Sequence, residues 1–278
     1  NAQTIVVTRY QNGVVTGVDL APLLQPGEDA IAAYNRLGYN TIAAFAAETR
    51  TSVNRDAATL AVPVDLRSLH AAAATNYPEH ADEAKVEDGP FMFAKVSQPT
   101  SSRAAIPASS GLLDYEVELC VVIGKNALYL KSPDDAPSHI LGYTISQDVS
   151  ERHWQVERSG QWVKGKSFPT FNPMGPWIIT ADELKQKNLD PNNLALSCTI
   201  DGEVRQNSRT NDLIFGINHC VWYISQFMEL KAGDVINTGT PEGVGMGFKP
   251  EKYLKGGENI VTTIEGIGTI KNKVVNYK

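Results

Sequence analysis

Two glutamates, Glu116 and Glu118, stand two residues apart inside the apolar run DYEVELCVVIG (114–124). Residues i and i+2 of a strand project from one face, so such a run presents both carboxylates side by side. A like-charged pair of this kind is costly unless a cation or a proton stands between its members. The same spacing also occurs on the solvated outer face of an edge strand. A third acid, Asp148, follows the apolar segment HILGYTIS (139–146), at a strand end, where functional groups concentrate. Three oxygen donors with no His or Cys beside them suit a hard cation. Mg²⁺ or Mn²⁺, with an octahedral shell completed by water or substrate oxygens, fits that donor set.

Other residues could work around such a cation. Lys166 lies between a glycine and a serine in WVKGKSF (162–168) and, taken alone, reads as a surface lysine. Arg152 and Gln155 follow Asp148 at +4 and +7 and share its face if a helical turn starts there. An ordinary helix with Asp148 as its N-cap gives the same pattern. The glycine-rich stretch NTGTPEGVGMG (237–247), with Gly239 and Thr240 near its start, can bring backbone N–H groups to an anion. It is not a nucleotide-binding P-loop, because no Gly-Lys-Ser/Thr follows at the required spacing. In NYPEHADE (76–83), His80 and Glu83 stand three apart and meet on a helix face. A carboxylate beside imidazole orients it and raises its basicity, an arrangement suited to general-base catalysis, although a solvated helix carries such pairs too.

The elements that must position these groups are mostly strands. Residues 1–70 read as a small leading α+β unit: a hairpin TIVVTRYQNGVVTGVDL turning at Asn12-Gly13, an Ala-rich helix EDAIAAYNRLGYNTIAAFAAETR interrupted near Gly38, and a short strand ATLAVPVDL (58–66). Residues 71–278 are strand-rich, with ILGYTISQDV, MGPWIIT, ALSCTIDGEVRQ, DVINTGT and NIVTTIEGIGTIKNKVV as further strands and Asp201-Gly202 as a hairpin turn. One amphipathic helix is expected over LIFGINHCVWYISQFMEL (213–230), with Ile217, Val221, Ile224 and Met228 on its apolar face. The fold class is therefore α+β and β-rich, without the strand–helix alternation of a doubly wound sheet.

Composition narrows the partners. With 278 residues, 42% of them hydrophobic and 20% charged, the chain can bury a large core. The net charge of −6, without clustered basic residues, argues against a nucleic-acid partner. No apolar run reaches the ~18–20 residues that a membrane helix needs. Cys120, Cys198 and Cys220 form no CxxC pair and read as small buried hydrophobes in a reducing compartment, which makes the cytoplasm the expected location.

Four of these segments, LDYEVELCVVIGKNA, GYTISQDVSERHWQ, QWVKGKSFPTFNPMGPWIIT and GDVINTGTPEGVG, resemble the fumarylacetoacetate hydrolase family and occur in the family's order. NYPEHADE resembles its lid segment, and YLKGGENIVTTIEGIGTIKNKV its closing strands. The resemblance runs from about residue 60 to the C-terminus, and the leading residues match the family's small N-terminal domain loosely. It implies a mixed β-sandwich roll with a small N-terminal domain, and a homodimer. It also implies roles: Glu116, Glu118 and Asp148 as ligands of Mg²⁺ or Mn²⁺; Lys166 beside the metal on a substrate oxygen; and Thr240 on the substrate carboxylate, within the Gly239-Thr240 turn. His80 and Glu83 would form an acid/base dyad on a mobile lid, and Arg152 and Gln155 would close the pocket. Three departures stand out: Pro169 in place of an Asp, AAAATNY before the dyad, and Glu151 in place of a small residue. The implied activity is hydrolysis of a C–C bond in a small anionic 2,4-dioxo acid by way of an enolate. An oxaloacetate-type decarboxylase, a 2-oxo acid hydratase or isomerase, and a non-catalytic metal-binding module are the alternatives.

Overall fold

The computed structural model describes residues 3–64, 68–78, 89–108 and 111–276. The chain divides into two compact units, Asn1–Leu60 and Ala61–Lys278.

The smaller unit holds an antiparallel sheet of β1 (Ile5–Gln11), β2 (Val14–Asp19) and β3 (Val53–Asp56), with helix α1 (Ala30–Glu48). Asn12 and Gly13 turn β1 into β2 with φ of 50° and 80°, the pair of positive values that a two-residue hairpin turn requires. Asp29 caps α1, its carboxylate accepting from the Ala32 amide at 2.8 Å. The expected interruption falls at Gly38, whose φ of 74° and ψ of 164° are not helical. The strand expected over 58–66 is not found among the described residues there. Ala57–Thr59 is a 3₁₀ turn, and the third strand is β3, which pairs with β2 from Val14↔Asp56 to Gly17↔Val53.

The larger unit is a sandwich of two mixed sheets. Its remaining strands are β4 (His70–Ala74), β5 (Phe91–Ala94), β6 (Ala105–Ala108), β7 (Leu113–Asp114), β8 (Val117–Ile123), β9 (Ile140–Gln147), β10 (Ser150–Glu151), β11 (Met174–Thr180), β12 (Ala195–Ile200), β13 (Glu203–Arg209), β14 (Val235–Asn237), β15 (Asn259–Ile264) and β16 (Gly268–Asn276). Six of them form one sheet in the order β11-β9-β8-β14-β4-β5, and five form the other in the order β13-β12-β15-β16-β6. In the second sheet, Leu196, Cys198 and Ile200 of β12, Ile260 and Ile264 of β15, and Ile270 and Val274 of β16 point into the core, as period-2 alternation dictates. In the first, β8 and β9 are buried along their whole length. Asp201 and Gly202 make the expected β12–β13 turn, with φ of 48° and 86°.

Among its described residues this unit also has the short helices α2 (Val163–Lys166), α3 (Ala181–Gln186) and α4 (Ile217–Ser225). Helix α4 is shorter than the segment 213–230 that its apolar pattern covers. Asn76 takes the backbone of Phe215, accepting from its amide at 2.8 Å and donating to its carbonyl at 2.9 Å, and Gly216 then enters the helix in an extended conformation. Ile217, Val221 and Ile224 are buried as expected, whereas Met228 packs on the core from beyond the helix end. Cys120, Cys198 and Cys220 are all buried free thiols. Among the described residues, no helix is long and apolar enough to cross a membrane.

Candidate functional site

Strands β8 and β9 pair antiparallel with Val117 opposite Gln147 and Glu118 opposite Ser146, which brings Asp148, just past the end of β9, level with Glu116. The Asp148 amide donates to the Glu116 carbonyl at 2.9 Å. One carboxylate oxygen from each of Glu116, Glu118 and Asp148 then lies within 4.8 Å of the others, and all three residues are buried. The opposite face of β8 carries Val117, Leu119 and Val121, fully buried in the core with Tyr115. The paired glutamates are thus interior groups at the centre of a sheet rather than a solvated edge.

Lys166, at the end of α2, is buried and donates to Glu116 Oε2 at 2.7 Å and to Asp148 Oδ2 at 2.9 Å. Its ammonium also lies 5.0 Å from the ring centre of Phe93. A second buried ammonium, which the sequence reading did not single out, reaches Asp148 from the other side: Lys95 Nζ donates to Asp148 Oδ1. Lys95 follows the edge strand β5, where its amide donates to the His70 carbonyl at 2.9 Å. Phe93 and Lys95, two residues apart, both face the cluster.

The stretch after Asp148 is not a regular helix. Ser150 and Glu151 form the short strand β10, paired with β7, and His153–Glu157 is a single π-helical turn. Arg152 and Gln155 still meet there, Nη1 donating to Oε1 at 2.7 Å, and Arg152 Nη2 reaches Glu116 Oε1 at 2.7 Å. Gly239 and Thr240, at the head of the glycine-rich stretch, both engage the carboxylate strand. The Gly239 amide donates to Glu118 Oε2 at 2.9 Å. The Thr240 hydroxyl donates to the Val117 carbonyl at 2.9 Å and accepts from Gln206 at 2.8 Å. His80 and Glu83 lie outside the described residues.

Two glutamines satisfy backbone amides of the carboxylate strand. Gln147 accepts from the Glu116 amide, and Gln206, reaching over from the other sheet, accepts from the Val117 amide at 2.9 Å. A buried imidazole lies beyond Lys95. His70 Nε2 donates to Asn237 Oδ1 at 2.9 Å, and its Nδ1 accepts from Asn172 Nδ2 at 2.7 Å, which defines one neutral tautomer. Burial, helped by the Lys95 charge, pushes its pKa down to about 4.

Electrostatics divides the carboxylates into two kinds. Burial works against ionisation of Glu116, but the Lys166 ammonium and the Arg152 guanidinium overcome it and hold the group well below the usual range. Glu118 is pushed well up by burial and by its neighbours Asp148 and Glu116, which the cations of the chain offset only in part. Four buried carboxylates, of Asp114, Glu116, Glu118 and Asp148, are met by three cations, of Lys95, Lys166 and Arg152. The donor set therefore fits a hard divalent cation: oxygen ligands only, close together, with the charge of Glu118 only partly offset by the chain.

The model of the fumarylacetoacetate (FAA) hydrolase C-terminal family matches residues 70–275. The mitochondrial oxaloacetate tautomerase FAHD2A of Bos taurus is 40% identical over 227 residues, covering 80% of this chain and 71% of that protein. Among solved structures, the 5-carboxymethyl-2-hydroxymuconate delta-isomerase of Mycobacterium smegmatis is 36% identical with a TM-score of 0.69, covering 83% of this chain and 87% of its own. The fumarylacetoacetate hydrolase of Exiguobacterium antarcticum is 29% identical with a TM-score of 0.78, covering 96% and 97%. With its carboxylate strand, its two mixed sheets and a match over most of its length, this chain belongs to the fumarylacetoacetate hydrolase family.

Proposed function

We propose that this enzyme moves a proton beside the keto group of a small anionic 2-oxo acid, in a keto–enol tautomerisation of the oxaloacetate type, with a divalent cation at Glu116, Glu118 and Asp148. The observation that carries the reading is the convergence of two buried ammonium groups, Lys95 and Lys166, on that buried carboxylate cluster. The likeness to a named oxaloacetate tautomerase and a named delta-isomerase supports proton transfer over bond cleavage.

A 2-oxo acid loses a C3 proton when electrons can be drawn onto the keto oxygen, and charge then develops on that oxygen. Lys166 has three N–H donors, of which Glu116 and Asp148 take two. The third is assigned here to a substrate oxygen, and in a buried site such a contact strengthens as charge accumulates. When bound, the divalent cation supplies Lewis acidity toward the same carbonyl. Lys95 offsets the charge of Asp148 from the far side, so that Asp148 does not rest on Lys166 alone. Arg152, fixed between Asp114 and Glu116, adds positive potential for a second carboxylate of the substrate. The proton carrier at C3 is assigned to His80 with Glu83, as the family resemblance implies.

Hydrolysis of the C3–C4 bond of a 2,4-dioxo acid releases the enolate of pyruvate, whose charge develops on the corresponding C2 oxygen, and the likeness to the Exiguobacterium antarcticum enzyme supports that as a second reading. One pair of assays separates the two: ketonisation of enol-oxaloacetate followed by ultraviolet absorbance, and pyruvate release from an acylpyruvate, each with Mg²⁺ and with chelator. Tautomerisation is expected to be the faster by at least tenfold. Faster pyruvate release from the acylpyruvate would assign hydrolysis instead.

A further inference from the structure

Asp114 is fully buried two residues before Glu116 and has gathered an unusual set of donors. Its Oδ2 accepts from Arg152 Nε and Nη2, each at 2.9 Å. Its Oδ1 accepts from the Gly245 amide at 2.6 Å, and Oδ2 from the Met246 amide at 3.0 Å. It also accepts from the amide of Tyr115 at 2.9 Å. The neighbourhood is built for this. The two-residue ladder of β7 with β10 sets Ser150 opposite Asp114, and the Arg152 amide donates to the Leu112 carbonyl at 3.1 Å. The turn at Gly245–Gly247 approaches so closely that a Cβ on Gly245 would stand 2.6 Å from the Lys252 carbonyl oxygen and 2.8 Å from Asp114 Oδ1.

The geometry points to Asp114 as a positioning residue for the metal site, acting through Arg152 on Glu116; this rests on the functional reading above. Arg152 Nη2 is shared between Asp114 at 2.9 Å and Glu116 Oε1 at 2.7 Å, while Lys166 holds the other oxygen of Glu116 at 2.7 Å. Both oxygens of Glu116 are therefore committed to cations of the chain. Without the Asp114 charge, the guanidinium has one anionic partner left and pairs with Glu116 alone, in direct competition with a divalent cation. With Asp114 present, Arg152 stays anchored through Nε when Glu116 Oε1 turns to a cation. The same carboxylate pins the Gly245–Met246 turn, so the glycine-rich stretch and Glu116 share one anchor. Partners of this kind, one step out from the ligands, typically change metal affinity by ~10–100-fold.

The test is Mn²⁺ titration calorimetry on wild type, Asp114→Asn, Arg152→Met and the double variant, with hydrogen exchange at the Gly245 and Met246 amides. The expected result is a loss of Mn²⁺ affinity of at least tenfold in Asp114→Asn, which is absent when the same change is made in the Arg152→Met background. Faster exchange of the two amides is expected in Asp114→Asn and not in Arg152→Met. A loss that simply adds to that of Arg152→Met, or wild-type affinity in Asp114→Asn, overturns the proposal while the functional reading stands. Absence of Mn²⁺ binding to the wild type overturns the functional reading itself, and this proposal with it. If Asp114→Asn does not fold, Arg152→Lys serves in its place: it keeps the charge but cannot make the forked contact with Asp114. It is expected to show the same loss, and wild-type affinity overturns the proposal.

Discussion

Lys95 and Lys166 hold opposite oxygens of Asp148, yet they should fail differently. Of the two, Lys166 alone also reaches Glu116, and the proposed reaction assigns its remaining N–H to the substrate oxygen. Lys166→Met at saturating Mg²⁺ is expected to cost ~10²–10³ in kcat, the usual effect of removing one group that acts in the transition state. Near-normal kcat would remove Lys166 from the chemistry. Lys95→Met leaves Asp148 short of one buried counter-charge, a change worth ~3–5 kcal/mol in comparable cases. Its Tm should fall sharply in chelator and recover in part with Mg²⁺, and a Tm indifferent to Mg²⁺ would place the cation elsewhere. His70 gives a pH signature. Its pKa lies at about 4 in the fold, against ~6.5 in an unfolded chain. As pH falls from about 6.5 toward 4, the unfolded chain takes up a proton that the folded chain refuses. The contribution of neutral His70, at most about 3 kcal/mol, is therefore full above that window and lost within it. Urea midpoints at pH 7 and pH 5 should converge in His70→Gln relative to wild type, and equal pH dependence in both proteins would contradict the assignment.

Among the elements, β8 and the turn after β14 carry the site. Gly239 has φ of 104°, and a Cβ there would stand 2.8 Å from the Asn76 Cβ. Gly239→Ala is therefore strained both by backbone and by contact, and should destabilise by more than ~1 kcal/mol. It should also loosen Glu118, whose carboxylate accepts from the Gly239 amide. Measured Tm and Mn²⁺ affinity should fall together, and an unchanged affinity would mean that the turn does not hold the ligand. The pairing of Glu116 with Glu118 could be read directly from the period of DYEVELCVV, and Asp148 from its place at the end of an apolar strand. Lys95 could not. FMFAKV reads as an alternating strand ending in an ordinary lysine, and its burial depends on β5 pairing with β4 at Ala71↔Ala94. Gln147 and Gln206 were equally silent, because which amides of this strand lack a backbone partner depends on where the neighbouring strands β9 and β14 end. The regular helical turn expected after Asp148 failed for a related reason: the β7–β10 ladder draws Ser150 and Glu151 into a strand first.

At the scale of the molecule, the sandwich places chemistry on the inside of a sheet, which works only if the buried charges are balanced. The β-rich class was legible from the alternating segments and the hairpin turns at Asn12-Gly13 and Asp201-Gly202. The order of strands in each sheet was not, since β14 joins β4 and β8 across more than a hundred residues of chain. The family match covers the unit that holds the carboxylates. The central claim is that Glu116, Glu118 and Asp148 together hold one divalent cation that the enolisation of a 2-oxo acid requires. It is tested most directly by the ketonisation rate of enol-oxaloacetate, corrected for the protein-free reaction, as metal-free protein is titrated with Mg²⁺. The rate should rise from background, saturate at one Mg²⁺ per chain and stay at background in Glu118→Gln. Full activity in chelator, or a wild-type response in Glu118→Gln, would contradict it.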